Sequence, residues 1–169
     1  MTHGDIRVGI LTVSDRGYRG EYRDLSGPVI RELVAERLGT NVELEAIVPD
    51  ERLVIAGTLL EWADEVGLDL VLTTGGTGFA PRDVTPEATR QVIERETPGL
   101  AEVMRSESLR RTPHAMLSRA VAGIAGSTLI VNLPGSPKAA RENLAVILPA
   151  LPHGLEKLKG DPRECGTVG

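Results

Sequence analysis

The most constraining stretch of the sequence is residues 69–87, DLVLTTGGTGFAPRDVTPE, in which an apolar run leads into a loop rich in glycine and threonine. The apolar residues 70–72 predict a buried strand. Thr85 followed by Pro86 predicts the start of a helix, with the Thr85 oxygen as N-cap and proline at the first helical position. The chain is therefore expected to run from strand through loop to helix in this stretch.

The loop between this strand and this helix is suited to an anion. Gly75, Gly76 and Gly78 have no side chains that would keep an anionic group away from backbone N–H groups. Asp83 adds a carboxylate to the same loop. The stretch lacks both the GxxxxGKS/T pattern of a P-loop and the third glycine of a dinucleotide-binding fingerprint. A phosphate site and a tight turn that needs glycine only for its φ angle both remain compatible with it.

Strand-like and helix-like segments alternate along the chain, which indicates an α/β fold with a mostly parallel sheet. The 169 residues contain no repeat or linker, so we expect one domain, residues 1–160, followed by a polar tail, residues 161–169. Pattern and turn residues predict strands at 7–13, 42–48, 68–73, 121–124 and 128–133. They predict helices at 26–38, 50–66, 86–95, 100–109, 115–120 and 144–158, the last one split by its two prolines.

The composition argues against several functional classes. A formal net charge of −5 and only 2% aromatic residues do not suit a nucleic-acid binder, which needs a basic face and stacking side chains. Cys165 is the only cysteine and no HExxH motif occurs, so neither a disulfide nor a dedicated zinc site is expected. Because no apolar run reaches membrane-spanning length and no apolar signal region begins the chain, we expect a cytoplasmic protein without a membrane partner.

The loops that follow the predicted strands define the expected ligand site. In parallel α/β sheets, ligands bind outside the carboxyl ends of the strands. Four polar loops lie there: Ser14 and Asp15, Pro49 and Asp50, residues 74–83, and residues 134–137. Three of these loops carry acids, and two carry glycine close to proline and hydroxyl groups. The sequence therefore predicts one ligand site at the carboxyl edge of the sheet.

Two of these acids are candidate magnesium ligands. Mg²⁺ uses few protein carboxylates and completes its shell with water and phosphate oxygens, so Asp50 and Asp83 suffice to hold it beside a nucleotide. Each also has a structural interpretation. Asp50 is a good N-cap for the following helix, and Asp83 is an acid near the positive end of a helix dipole.

The remaining polar candidates are weaker one by one. Arg82 suits a phosphate but also an exposed position without a special role. Ser108 and Ser118 flank a polar loop and are either ligand contacts or solvated hydroxyls. Residues 134–137, Pro-Gly-Ser-Pro, are either a second anion-binding turn or a plain strand-to-helix turn. No GxSxG motif supports a serine nucleophile.

Taken together, these motifs resemble the molybdopterin-binding MogA/MoaB family and the gephyrin-type G domains. The resemblance is carried by TTGGTG at 73–78 and RDVTPEAT at 82–89. It extends over segments 14–15, 48–50, 94–100, 116–119, 126–130 and 132–135, which cover nearly the whole chain.

This resemblance implies a three-layer α/β/α fold, assembled as a homotrimer, and an activity, molybdopterin adenylyltransferase. Such an enzyme transfers AMP from ATP with Mg²⁺ to the terminal phosphate of molybdopterin and releases pyrophosphate, and its product passes to a MoeA-type molybdenum insertase. The resemblance implies catalytic and metal roles for Asp50 and Asp83, and pterin binding by Ser108 and Ser118. The full implied substrate-binding set is Ser14, Asp15, Thr74, Gly75, Gly76, Thr77, Gly78, Arg82, Thr85, Ser108, Ser118, Pro134, Gly135 and Ser136.

Two other functions remain open from the sequence. The first is a MoaB-like protein that binds molybdopterin without adenylyltransferase turnover. The second is an α/β domain that binds some other nucleotide. A free-standing insertase is not expected, because 169 residues leave no space for its additional domains.

Overall fold

The computed structural model describes residues 5–165, so residues 1–4 and the last part of the predicted tail, 166–169, lie outside the described residues. The strands are β1 (Val8–Val13), β2 (Val42–Val48), β3 (Leu70–Thr74), β4 (Arg95–Glu96), β5 (Ala122–Ala125) and β6 (Thr128–Leu133). The α-helices are α1 (Asp15–Tyr18), α2 (Ser26–Leu38), α3 (Arg52–Leu60), α4 (Thr85–Val92), α5 (Pro98–Leu109), α6 (Pro137–Ile147) and α7 (Leu151–Leu158). A π-helical segment, Glu61–Val66, extends α3, and 3₁₀ turns form at Pro113–Leu117 and Leu148–Ala150.

The six strands form one sheet in the order β2-β1-β3-β6-β5-β4. The four strands β2, β1, β3 and β6 run parallel. The two remaining strands are antiparallel to their neighbours and form one edge of the sheet. The predicted mostly parallel sheet is therefore confirmed, and the carboxyl ends of its four parallel strands meet at one edge.

Alternate residues of each central strand face opposite sides of the sheet, and each side is covered by helices. On one side, Ile10 packs in a core with Ile30 of α2 and with residues of α5, α6 and α7. On the other side, Leu11 packs in a second core with Ile55 of α3 and with residues of α4. These two cores make the protein a three-layer α/β/α sandwich, as the family resemblance predicted.

Most predicted elements are present, and the differences arise at short or proline-containing segments. The predicted helix at 115–120 is wrong, because a 3₁₀ turn already begins at Pro113 and ends at Leu117. The predicted helix at 86–95 ends at Val92 instead, because the next residues pair with β5 as the two-residue strand β4. None of the helices within residues 5–165 combines the length and apolar character needed to cross a membrane.

Candidate active site

The loop after β3 requires glycine at its first two positions. Gly75 and Gly76 adopt φ values of +99° and +69°, which side chains of L-residues rarely tolerate. A Cβ atom at Gly75 would collide with the carbonyl oxygen of Val13, and one at Gly76 would collide with the hydroxyl of Thr85. The loop backbone therefore lies directly against the end of β1 and the start of α4, with no room for a side chain.

The same loop presents unpaired donors. Among the described residues 5–165, the backbone N–H groups of Gly76, Thr77 and Gly78 donate no hydrogen bond to another protein group. Thr77 is buried, and Gly76 and Gly78 are half-buried, so these donors do not simply protrude into solvent. Unpaired N–H groups in such a turn suit an anionic ligand.

The loops after β3 and β6 are held against each other. The Thr74 hydroxyl donates to the carbonyl oxygen of Pro134 at 2.7 Å, and the Gly75 N–H donates to Leu133 at 3.2 Å. Gly135 lies directly against Gly75, since a Cβ atom there would be 3.3 Å from its Cα. Thr74, Pro134 and Gly135 therefore form one wall with the glycine loop.

Two expected capping roles are wrong. Thr85 does not cap α4, whose N-cap is Val84; its buried hydroxyl instead donates to the carbonyl oxygen of Gly75 at 2.9 Å. Asp50 does not cap α3, whose N-cap is Glu51. Both side chains are engaged in tertiary contacts that a local capping pattern does not reveal.

Asp50 and Asp15 instead join the loops after β2 and β1. The carboxylate of Asp50 accepts from the Asp15 N–H at 2.9 Å, and the carboxylate of Asp15 accepts from the Asp50 N–H at 3.0 Å. Burial raises the pKa of Asp50, and the negative charges of Asp15 and Asp83 raise it further. The half-buried Asp50 carboxylate thus lies where a cation would be favourable.

Arg82 reaches from the glycine loop to Asp15. Its guanidinium donates to both carboxylate oxygens of Asp15, at 2.6 and 3.1 Å, which lowers the pKa of that carboxyl. The Arg82 side chain remains 59% exposed, and Glu51 lies 3.9 Å away. Asp15 and Arg82 therefore bridge two loops at the mouth of the site.

Asp83 lies against the last glycine of the loop. Its carboxylate accepts from the Ala80 N–H at 3.0 Å, and its own N–H donates to the Ala80 carbonyl at 2.9 Å. A Cβ atom on Gly78 would be only 2.9 Å from the Asp83 carboxylate. The carboxylate thus packs on the backbone of the anion-binding loop and does not cap α4.

Two cavities flank the glycine loop. The larger has a volume of about 260 Å³, and its walls include Thr77, Gly78, Ser108, Ser118 and Pro134. The smaller has a volume of about 150 Å³, and its walls include Ser14, Asp24, Thr74, Gly75 and Gly135. Nine of the fourteen predicted substrate-binding residues therefore line these two spaces, five in the larger and four in the smaller.

Some predicted hydroxyls have structural partners as well. Ser14 caps α1 by accepting from the Gly17 N–H, and Ser136 caps α6 by accepting from the Ala139 N–H. Ser108 accepts from the Asn143 side chain at 3.0 Å. The remaining predicted residues line neither cavity; they are Asp15, Asp50, Gly76, Arg82, Asp83, Thr85 and Ser136.

Sequence reasoning assigned no role to Asp24 or Arg119. Asp24 lines the smaller cavity and accepts from Ser26, Gly27 and Thr12, a spacing that the helix start at Ser26 could have revealed. Arg119 lies far from its partners in sequence, so no local signal exists for its contacts.

The carboxylates fit a magnesium ion that shares its shell with phosphates. Within residues 5–165, no three His, Cys, Asp or Glu side chains are grouped so that they alone could hold a metal. Mg²⁺ does not require such a cage, because one or two carboxylates plus substrate oxygens and water suffice. Burial and the neighbouring acids Asp15 and Asp83 raise the pKa of Asp50 despite the opposing charge of Arg82, so a cation bound there would stabilise its ionised form.

The sequence and the fold match known proteins. Residues 9–153 match the family described as “Probable molybdopterin binding domain”. A molybdopterin adenylyltransferase from Helicobacter pylori is 47% identical over 157 residues, covering 92% of this chain and 89% of the relative. The molybdenum cofactor synthesis protein cinnamon from Drosophila melanogaster is also 47% identical over 92% of this chain, which spans 26% of that longer protein.

A solved structure agrees with this match. The molybdopterin biosynthesis enzyme MoaB from Thermus thermophilus superposes with a TM-score of 0.87 and 57% sequence identity, covering 94% of this chain and 99% of that chain. The resemblance to the MogA/MoaB family is thus confirmed at the level of both sequence and fold. The chain belongs to the molybdopterin-binding family of MogA and MoaB.

Proposed function

We propose that this protein is a molybdopterin adenylyltransferase, which transfers AMP from ATP to the terminal phosphate of molybdopterin and releases pyrophosphate. One observation carries the proposal: the unpaired N–H groups of Gly76, Thr77 and Gly78 lie between two cavities and beside the half-buried carboxylate of Asp50. The name of the Helicobacter pylori relative supports the same activity.

We assign the larger cavity to the pterin and the smaller one to the nucleotide. Ser108 and Ser118, the hydroxyls that the family resemblance links to pterin binding, both line the larger cavity. The smaller cavity adjoins Ser14 and the loop that carries Asp15. The glycine loop between them is then adjacent to the phosphates of both substrates.

The chemistry requires no nucleophile from the protein. An oxygen of the molybdopterin phosphate attacks the α-phosphorus of ATP, a new P–O bond forms, and the bond to the bridging oxygen breaks so that pyrophosphate leaves with the electron pair. The loop N–H groups stabilise the charge that develops on the phosphoryl oxygens. Arg82 is exposed and pairs with the acids Asp15 and Glu51 at the mouth of the site, so it can exchange Asp15 for a phosphate at little cost.

Asp50 and Asp83 are the residues that would hold Mg²⁺. The metal would neutralise phosphate charge and orient the leaving pyrophosphate. The chain's own contribution is to fix both carboxylates by main-chain hydrogen bonds, from Asp15 to Asp50 and from Ala80 to Asp83. Two acids are thereby kept close to the glycine loop before any substrate binds.

Pyrophosphate release with purified protein, MgATP and molybdopterin tests this function. We expect release that requires both molybdopterin and Mg²⁺ and that matches the adenylylated pterin formed. The second candidate that the family resemblance leaves open is a MoaB-like protein that binds molybdopterin without turnover. That candidate predicts molybdopterin binding without pyrophosphate, whereas ATP affinity unaffected by molybdopterin would indicate another nucleotide-binding role.

Three further expectations of the resemblance are part of the proposal. They are a homotrimer, a cytoplasmic location and transfer of the product to a MoeA-type insertase. Exposed apolar side chains on β2 and α3, such as Ile47, Leu53 and Val54, provide surface for self-association. Light scattering tests the first expectation, and a monomer would contradict it.

A further inference from the structure

Arg119 contacts the glycine loop at several points. Its backbone N–H donates to the Thr77 carbonyl at 2.9 Å, and its guanidinium donates to the Gly78 carbonyl at 2.8 Å and to the Asp83 carbonyl at 2.7 Å. A further guanidinium nitrogen pairs with Glu87 of α4. One side chain therefore joins both ends of the segment 78–83 to the helix that follows it.

The segment that Arg119 spans has little other support. Residues 79–82 are exposed, and Phe79 is 68% exposed in spite of its size. Its other polar contacts are the hydrogen bonds between Ala80 and Asp83 and the exposed pairing of Arg82 with Asp15. Because apolar packing does not hold this segment and an exposed ion pair holds it only weakly, the position of the Asp83 carboxylate depends mainly on the contacts at the two ends.

Arg119 also follows a residue that lines the larger cavity. Ser118 forms part of its wall, as do Thr77 and Gly78, two of the three residues whose carbonyl groups Arg119 binds. Two consecutive residues therefore serve the two places: Ser118 lines the larger cavity, and Arg119 supports the segment that carries Asp83.

We infer that Arg119 is a positioning residue that fixes Asp83 for adenylyl transfer and links its position to occupancy of the larger cavity. This inference rests on the proposed function, because it concerns the same site. Arg119 does not touch the reacting atoms in this account. It acts on the carbonyl groups of Gly78 and Asp83, which determine where the Asp83 carboxylate lies.

The substitution Arg119→Lys separates positioning from folding. Burial by itself would raise the pKa of Glu87, but the hydrogen bond and charge of Arg119 keep that pKa below its ordinary value. Arg119→Ala would leave this carboxylate without its cation and could unfold the chain, whereas lysine keeps the charge. A lysine ammonium cannot reproduce the planar fork that reaches Gly78, Asp83 and Glu87 together.

We expect Arg119→Lys to keep a near-wild-type Tm and a molybdopterin Kd within threefold, while kcat falls about 10- to 100-fold, the cost of a misplacement of about 1 Å. Amide hydrogen exchange at Ala80 and Asp83 should become faster. Arg141→Lys is the control, since Arg141 is an exposed residue of α6 that pairs with Glu32 at 3.1 Å; it should change none of these quantities.

A kcat and exchange rates equal to wild type in Arg119→Lys would overturn the inference. A variant with a lower Tm and weaker molybdopterin binding as well as a lower kcat would also overturn it, because such a general loss would indicate a merely structural role. If the wild-type protein shows no adenylyl transfer, the proposed function fails instead. Hydrogen exchange in Arg119→Lys then still determines whether Arg119 holds Asp83 in place.

Discussion

Asp50→Asn is expected to make the protein more stable and inactive at the same time. The raised pKa of Asp50, caused first by burial and then by the charges of Asp15 and Asp83, means that its ionised form destabilises the folded state. Asparagine removes the charge and keeps an oxygen that accepts from the Asp15 N–H, the contact that now measures 2.9 Å. The proposed magnesium site would lose one of its carboxylates.

The magnitude follows from the half-buried position of Asp50. Each unit of raised pKa corresponds to about 1.4 kcal/mol, and solvent screening reduces this value for a group that is only partly buried. For a domain of this size, 1 kcal/mol shifts Tm by about 2–4 °C. Because a partly exposed charge rarely contributes more than about 1 kcal/mol, we expect Asp50→Asn to raise Tm at neutral pH by no more than about 4 °C.

The difference in Tm between wild type and Asp50→Asn should depend on pH. Below the ordinary pKa of 3.8, Asp50 is protonated in both the folded and unfolded states, so wild type and Asp50→Asn should have the same Tm there. As pH rises through the raised pKa of the folded state, wild type loses stability relative to the variant. Above that pKa, the difference should stay constant.

Asp15→Asn is the matched control of opposite sign. Asp15 makes the reciprocal main-chain contact with Asp50, but Arg82 lowers its pKa, so its charge stabilises the folded state at neutral pH. Asp15→Asn should therefore lower Tm. The assay is thermal unfolding from pH 3 to 8, with and without Mg²⁺, which should raise the Tm of wild type but not that of Asp50→Asn. A lower Tm in Asp50→Asn, or full adenylyl transfer by it, would refute the reasoning.

Three other substitutions, one of them with a matched control variant, test separate parts of the structure. Asp83→Asn should abolish AMP transfer but leave molybdopterin binding intact; full activity would remove Asp83 from the mechanism. Gly75→Ala should cost about 2–6 kcal/mol in urea unfolding, since φ strain and a collision with the Val13 carbonyl add together. Gly126→Ala is the control: Gly126 also has a positive φ of +59°, but an added Cβ would meet no atom within 4 Å apart from its chain neighbours. Gly126→Ala should therefore lower the free energy of unfolding only by the φ strain, and equal losses in the two variants would contradict the collision at Gly75. Asn132→Leu should lower the free energy of unfolding by about 1–3 kcal/mol, because it leaves the buried N–H of Val121 without its acceptor. An unchanged urea midpoint would count against that role of Asn132.

Local sequence patterns predicted the parts of the fold that depend on neighbouring residues. The strand at 42–48 and the strand at 128–133 are confirmed to the residue, because apolar patterning and turn residues mark both ends. The positive φ angles of Gly75 and Gly76 agree with the glycine-rich pattern. The gathering of four loops at one edge followed from the parallel arrangement of the strands.

Tertiary contacts account for what the sequence did not predict. An Asp before a helix has the same local pattern whether it caps that helix or, as Asp50 does, accepts a hydrogen bond from a residue 35 positions away. Arg119 lies 41 positions from Gly78 and 32 from Glu87, so nothing near it in the sequence indicates its contacts. The two-residue strand β4 is too short to show any periodicity.

Adenylyltransferase activity is tested most directly by following the AMP moiety itself. Purified protein would be given MgATP labelled in the α-phosphate together with molybdopterin, and the labelled pterin and pyrophosphate would be quantified. We expect one labelled pterin per pyrophosphate, with neither product formed when Mg²⁺ or molybdopterin is omitted. Tight molybdopterin binding with no transfer of label would contradict this expectation and identify a binding protein without turnover.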